Sequence, residues 1–199
     1  MGIITNLTRT WLTRSAKPFV FTGEFDQILP FEPCENLGLY IHIPFCRSIC
    51  NFCPYCKTLY DPAVCSRYVD ALIEEIHMAG GRAGTKKRVT SLYFGGGTPS
   101  LAAGRFGEIL AAVREHFTIT EGIGVELHPD DVTVPLLQTL REAGVTKISI
   151  GIQSFLEKYR TLLGRGGAGA PSMSAALKEV PFETVSMDLI FALPGQTLA

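Results

Sequence analysis

The sequence predicts an α/β domain built on a parallel sheet, with its chemistry gathered at one end of that sheet. Two observations carry this expectation. From about residue 37 onward, short apolar β-rich runs alternate with amphipathic helical stretches. Strands separated by helices need right-handed crossovers, which make the strands parallel. Each chemically distinctive loop also follows a strand: cysteines after the first, glycines after the second, Glu126 near the end of the third, Gln153 after the fourth. In parallel α/β folds the functional groups sit in such loops, at the C-terminal strand ends.

Leu37 to Ile43 reads as the first strand, feeding the cysteine loop. Asp61-Pro62 then forms a helix start, with an aspartate cap and proline at the first helical position. That helix runs towards Met78 and carries Val69, Leu72, Ile73 and Ile76 on one face. Val89 to Phe94 is the second strand, and Ser100 is placed to cap a helix through Phe106, Ile109, Leu110 and Val113. Gly124 to Leu127 is a short third strand, followed by a helix bearing Leu136, Leu137 and Leu140. Lys147 to Ile152 is the fourth strand, and a helix covers Phe155 to Leu163. Val185 to Ala192 is the fifth, ending at Leu193-Pro194-Gly195. The segment before residue 37, with Pro18, Pro30 and Pro33, gives no clear element, so residues 1–36 read as an N-terminal extension to a core domain of 37–199. With no helix after the fifth strand, the domain reads as cut short there, leaving a sheet edge.

Composition narrows the function classes. The chain has 199 residues, enough for one sizeable core, and at 46% hydrophobic and 19% charged it is a globular sequence. A net charge of −1 gives no electrostatic footprint for nucleic acid or an anionic membrane. The basic run Lys86-Lys87-Arg88 reads as a solvated loop before a strand. No apolar stretch approaches the roughly 20 residues of a membrane span, and Met1 to Arg14 lacks the apolar core of a secretory signal. Six cysteines without an export signal read as reduced thiols and metal ligands, which places the protein in the cytoplasm.

Cys46, Cys50 and Cys53 form a C-x3-C-x2-C loop. Three thiolates at this spacing suit a [4Fe–4S] cubane with one iron left for another ligand, since such clusters otherwise take four cysteines. A structural zinc site adding Cys56 is the plain alternative, but zinc knuckles use cysteine pairs divided by a longer spacer. A ferredoxin loop is a third choice, with a different spacing.

Gly95-Gly96-Gly97-Thr98-Pro99 lets the backbone approach a ligand closely and leaves carbonyls to accept hydrogen bonds from an ammonium group. The plain reading is a tight turn, although three glycines exceed what a turn needs. Glu126 is placed to accept from ribose hydroxyls, or is a solvent-facing carboxylate. Gly164 to Gly169 fits G-x-G-x-x-G but follows a helix rather than a strand, so it reads as a flexible loop. His42, His77 and His116 read as core or surface residues rather than ligands, and Cys34 and Cys65 as plain buried or helix thiols.

Four ordered motifs, Tyr40-Ile41-His42-Ile43-Pro44-Phe45-Cys46, Gly95 to Pro99, Gly151-Ile152-Gln153-Ser154-Phe155 and Asp188 to Thr197, resemble the radical S-adenosylmethionine (SAM) family of oxygen-independent coproporphyrinogen III oxidase. That family also contains heme chaperones and radical methyltransferases. The resemblance spans residues 37 to 199 and implies a partial (β/α)6 barrel, truncated here after the fifth strand. It implies a [4Fe–4S] cluster on Cys46, Cys50 and Cys53, with SAM on the open iron. Tyr40, Gly96 and Glu126 would line that SAM, and Phe52 would lie by its adenine. Gly97, Thr98, Gln153, Arg165 and Asp188 match positions that hold a second SAM in the oxidase.

The activity so implied is cleavage of SAM by a reduced cluster to give a 5′-deoxyadenosyl radical that abstracts hydrogen. Its substrate would be a tetrapyrrole or related small molecule of porphyrin biosynthesis, and its electron donor a flavodoxin or ferredoxin. A heme chaperone without oxidase chemistry and a radical methyltransferase are the alternatives. The chain departs from the oxidase pattern in Cys53-Pro54-Tyr55-Cys56, where the oxidase has Cys-x-Cys. It departs again in His128, where an amide or acid is more usual, and in lacking the sixth strand and substrate domain. Cys56 is accordingly a candidate catalytic residue, as hydrogen donor or methyl carrier, against the alternative of an inert loop thiol.

Overall fold

Parallel pairing runs through the whole sheet of the computed structural model, which describes residues 7, 8, 10, 11, 31, 33–82, 86–165 and 170–197. The chain divides into two units, Met1–Pro30 and Phe31–Ala199, and the sheet lies wholly in the second. In chain order the strands are β1 (Asn36–Ile43), β2 (Phe45–Cys46), β3 (Thr58–Leu59), β4 (Lys87–Gly96), β5 (Phe117–Ile119), β6 (Ile123–Leu127), β7 (Val145–Gln153) and β8 (Thr184–Leu189). The helices are α1 (Pro62–Gly81), α2 (Phe106–His116), α3 (Val134–Ala143), α4 (Glu157–Leu162) and α5 (Ala170–Glu179). The main sheet runs β1-β4-β6-β7-β8, with β5 also on β4; β2 and β3 form a separate pair inside the cysteine loop. The long strands follow one another across the sheet in sequence order with no reversal. That is the winding of a barrel rather than of a doubly wound sheet.

The core accounts for the order. Ile43, Val89, Phe94, Val125 and Ile150 are fully buried along the strands, as are Ile109, Leu110, Leu137 and Leu140 on the helices packed over them. Each such side chain contributes about 1.5–3 kcal/mol relative to exposure. Phe94 stacks on Phe106 at 4.2 Å between centroids, joining β4 to α2. Helix α1 starts as its sequence requires: the Asp61 carboxylate accepts from the Val64 N–H at 2.8 Å, with Pro62 in the first turn.

Several elements differ from the sequence expectation. Ser100 does not cap a helix. Pro99–Arg105 forms a 3-10 segment after Thr98, and the Ser100 hydroxyl donates to Asp131 instead. The run Lys86-Lys87-Arg88 is not a free loop, because Lys87 and Arg88 already belong to β4. Helix α4 is shorter than the apolar pattern over Phe155 to Leu163 suggests, and β8 stops at Leu189 rather than Ala192. Helix α5, strand β5 and the β2–β3 pair are additions; two- and three-residue strands carry no periodicity to read. Cys65 is buried in α1 as expected, whereas Cys34 is exposed and outside any helix. Most of the extension 1–36 and residues 166–169 of the glycine-rich loop lie outside the described residues. Strand β8 pairs with β7 on one side, and its Val185, Met187 and Leu189 are exposed.

Candidate functional site

A cleft of about 240 Å³ opens at the C-terminal ends of the strands. Its lining brings together Cys46, Cys50, Phe52 and Cys53 from the loop after β1, Gly96 at the end of β4 with Gly97 and Thr98 beyond it, and Glu126 from β6. Ser149 and Gln153 of β7, Arg165 beyond α4 and Asp188 of β8 complete it. Of the residues expected to hold the cluster or SAM or to act in catalysis, Tyr40 and Cys56 are the two outside this lining. Tyr40 is exposed and stacks on Tyr93 at 6.5 Å. Cys56 is exposed, and its backbone carbonyl lies 3.0 Å from His42 Nε2.

The cysteine loop is fixed by backbone contacts. The Thr58 N–H donates to Pro44 O at 2.8 Å and the Tyr60 N–H to Cys46 O at 2.9 Å, closing the loop through the β2–β3 pair. Lys57 Nζ reaches the carbonyls of Cys53 and Tyr55 at 2.5 and 3.2 Å. The Asn51 N–H donates to Leu163 O at 3.3 Å, tying the middle of the loop to the end of α4.

The glycine loop meets the cysteine loop directly. The Gly97 N–H donates to Ile43 O at 2.8 Å and the Thr98 N–H to Phe45 O at 2.7 Å. A Cβ at Gly97 would lie 2.6 Å from Phe45 O and 2.9 Å from Cys46 Sγ, so only glycine brings the chains this close. Gly96 has φ +121°, a conformation open to glycine. Burial pushes the Cys46 thiol up, while the Thr98 hydroxyl, 3.8 Å from Cys46 Sγ, partly offsets this by favouring the thiolate.

Glu126 accepts from the Gly96 N–H at 3.1 Å. Burial raises its pKa, that hydrogen bond works against the rise, and the Asp188 carboxylate adds to it. Tyr93 is pushed up to about 12, by burial first and then by Glu126. Ser149 Oγ donates to the Asp188 carboxylate at 3.3 Å. Gln153 is buried with φ +65°, strained for a residue bearing a side chain, and such strain concentrates at functional sites.

The Arg165 guanidinium lies over Gly151, where a Cβ would come within 3.3 Å of it. Burial lowers its pKa, and the thiols of Cys50, Cys46 and Cys53 pull the other way. Arg165 Nε donates to His128 Nε2 at 3.1 Å, and the Asp130 N–H to His128 Nδ1 at 3.2 Å. Burial, then Arg165, lowers the His128 pKa and keeps the ring neutral. A neutral imidazole accepts at one nitrogen only, so a given tautomer satisfies one of these two donors.

Sequence reasoning missed a clamp beneath the loop. Arg47 pairs with Asp131, which is buried and also accepts from Ser100 Oγ. These residues are 84 and 31 positions apart, and no local pattern links them.

The donor set suits an iron–sulfur cluster better than a single ion. Ligand atoms around tetrahedral zinc lie about 3.3–3.8 Å apart. Among the described residues, the trio of His, Cys, Asp or Glu whose ligand atoms all fall within 4.8 Å is His77, Glu115 and His116, not the three cysteines. Thiols on one loop, more widely spread than a single ion requires, fit a cubane. The adjoining carboxylates, amide and glycine backbone offer hydrogen-bonding groups to a polar ligand beside them.

Residues 40–199 match the radical SAM superfamily. The heme chaperone HemW of Lactococcus lactis is 34% identical over 164 residues, covering 80% of this chain and 42% of that protein. The oxygen-independent coproporphyrinogen III oxidase of Pseudomonas aeruginosa is 29% identical over 187 residues, covering 88% and 41%. Among solved structures, coproporphyrinogen III oxidase (HemN) from Escherichia coli superposes with a TM-score of 0.74 at 30% identity, covering 82% of this chain and 39% of that one. The chain thus spans less than half the length of these curated relatives.

Proposed function

The chain belongs to the radical SAM superfamily, and from that premise we propose that its cleft carries a [4Fe–4S] cluster and SAM for radical chemistry on a tetrapyrrole or related small molecule. The observation that carries the reading is the meeting of three thiols with Gly96, Gly97 and Glu126 in one cleft. Cys46, Cys50 and Cys53 would hold the cluster and leave one iron for SAM. When bound, a reduced cluster supplies the electron that splits SAM into methionine and a 5′-deoxyadenosyl radical.

The chain's own residues do the positioning. Glu126, held by the Gly96 N–H, offers its remaining lone pairs to ribose hydroxyls. The carbonyls of the glycine loop would accept from the SAM ammonium, and Phe52 would lie by the adenine. Arg165 and Asp188, with Gln153, offer a cation, an anion and an amide in the same cleft, complementary to a second SAM or to substrate carboxylates. The Arg165 charge facing the thiols also offsets the negative charge that thiolates bring.

Anaerobic reconstitution tests this. We expect about four irons and four sulfides per chain, with an electron paramagnetic resonance spectrum that changes on adding SAM. Cys46→Ala, Cys50→Ala and Cys53→Ala should each abolish it. Stoichiometric zinc with no iron uptake would overturn the proposal.

A second reading is favoured by the relatives, since proteins named as heme chaperones match this chain as well as the oxidases do. On that reading the same cofactors serve heme binding rather than radical chemistry on a tetrapyrrole. A heme titration, set against substrate-dependent release of 5′-deoxyadenosine on adding coproporphyrinogen III, separates the two. Saturable heme binding without substrate-dependent SAM consumption selects the chaperone.

A further inference from the structure

On the outer helical layer two histidines point at each other. His77 in α1 and His116, the last residue of α2, approach with Nδ1 of the first 2.9 Å from Nε2 of the second. The carboxylate of Glu115 stands 3.7 Å from His77 Nδ1. All three ligand atoms fall within 4.8 Å of one another. We propose that His77, Glu115 and His116 form a second metal site, taking a divalent transition-metal ion of the zinc type and separate from the cysteine cleft.

The geometry suits such an ion. Zinc bonds of about 2.0–2.1 Å to nitrogen and oxygen in a tetrahedral shell put ligand atoms about 3.3 Å apart. The observed separations of 2.9 and 3.7 Å bracket that value. Two imidazoles and one carboxylate suit zinc and neighbouring transition metals, and leave a fourth position for water. The rings are nearly perpendicular, at 75°, with their facing nitrogens 2.9 Å apart, so an ion would take the place of the hydrogen bond between them. An ion can reach them, because the Glu115 and His77 side chains are 64% and 36% exposed.

The backbone makes room for this pairing. Gly80 is buried one turn beyond His77, and a Cβ there would lie 2.4 Å from the His116 ring. Any larger residue would push His116 away from His77. Neither helix contributes to the lining of the cleft, so metal here acts on the fold and not on the radical chemistry. It would clip the C-terminal end of α1 to that of α2.

The test uses anaerobically reconstituted full-length chain, incubated with zinc chloride and desalted, with zinc measured by mass spectrometry. We expect one zinc per chain beyond the iron, and a higher thermal midpoint with zinc than without. His77→Ala should weaken zinc binding by more than about 100-fold, beyond what losing an outer-shell partner costs, with iron loading unchanged. Zinc held on cysteines would be indifferent to that substitution. Equal zinc in wild type and His77→Ala, or no retained zinc in wild type, overturns the proposal. Should His77→Ala lose its circular dichroism, Glu115→Gln on the exposed residue decides: weakened zinc binding in a folded chain supports the site, and unchanged binding overturns it.

Discussion

The two walls of the cysteine cleft are built by different means. The sheet wall presents Glu126, Ser149, Gln153 and the glycine turn from strands whose neighbouring residues Phe94, Val125 and Ile150 are fully buried. Core packing therefore fixes those groups before any ligand arrives. The loop wall presents Cys46, Cys50 and Cys53, all partly exposed, on a segment held by a few directed contacts: the β2–β3 pair, Lys57, Asn51 and the Arg47–Asp131 clamp. Stiffness thus belongs to the wall that would orient the nucleoside. The wall that would hold the metal is left to be completed by it, as expected where ligand binding and local folding are coupled.

The seam between the walls is where the comparison breaks most easily. Gly97→Ala sets a methyl group 2.6 Å from Phe45 O, a backbone atom that cannot swing aside. We expect a loss of about 3 kcal/mol and failure to load iron. Gly107→Ala, in helix α2 with nothing within 4 Å of the added carbon, should be neutral or stabilising by about 0.5–1 kcal/mol. Chemical denaturation and iron content measure both. Normal iron loading in Gly97→Ala would show that the walls do not depend on this contact.

Arg47→Ala should come next. It leaves the buried Asp131 carboxylate with Ser100 as its remaining side-chain donor, at a cost of about 1–3 kcal/mol. The effect should be confined to the loop wall. Hydrogen exchange is expected to quicken at Cys46 to Tyr60 while the amides of β4, β6 and β7 keep their protection. Uniform loss of protection would mean that the two walls form one cooperative unit.

The strand wall was the more legible of the two in the sequence. Its strands are long apolar runs, and Gly95 to Thr98, Glu126 and Gln153 sit where such runs end, so period and punctuation were enough. The three cysteines announced themselves by spacing. The loop wall's supports did not: Arg47 meets Asp131 only because the 3-10 turn Pro129–Asp131 after β6 comes beneath the loop. The misread Ser100 has the same origin. A serine before a helical pattern is a good cap locally, yet here a buried carboxylate takes its hydroxyl. Helix α5 is hard to read because, among its described side chains, it buries only Met173 and Ala176, a narrow apolar stripe directly after a glycine-rich run.

A smaller, pH-dependent effect tests the electrostatics of the strand wall. Glu126 is pushed above the usual carboxylate range by burial first and by Asp188. Below about pH 4.3, the ordinary Glu value, both folded and unfolded chains hold its proton. As pH rises from there through the raised value, the unfolded chain ionises first, and the fold loses stability relative to low pH. In the cofactor-free chain, Glu126→Gln should remove this component of the stability–pH curve and weaken SAM binding at neutral pH. Coincident curves for the two proteins would mean that solvent reaches Glu126 freely.

Cys56→Ala should have the smallest effect. The thiol is exposed and outside the cleft lining, and the contact made there by His42 is to the backbone carbonyl, which the substitution keeps. Stability should stay within about 0.5 kcal/mol of wild type, with iron content and the SAM-induced spectral change unaltered. Two outcomes would sharpen the contrast between the walls. Loss of iron would make Cys56 a fourth ligand, leave no open iron for SAM and defeat the radical reading. Retained 5′-deoxyadenosine release with falling product yield would instead give this thiol a chemical role, as hydrogen donor or methyl carrier. An unchanged product yield would leave Cys56 as a plain surface thiol and confine the chemistry of the loop wall to Cys46, Cys50 and Cys53.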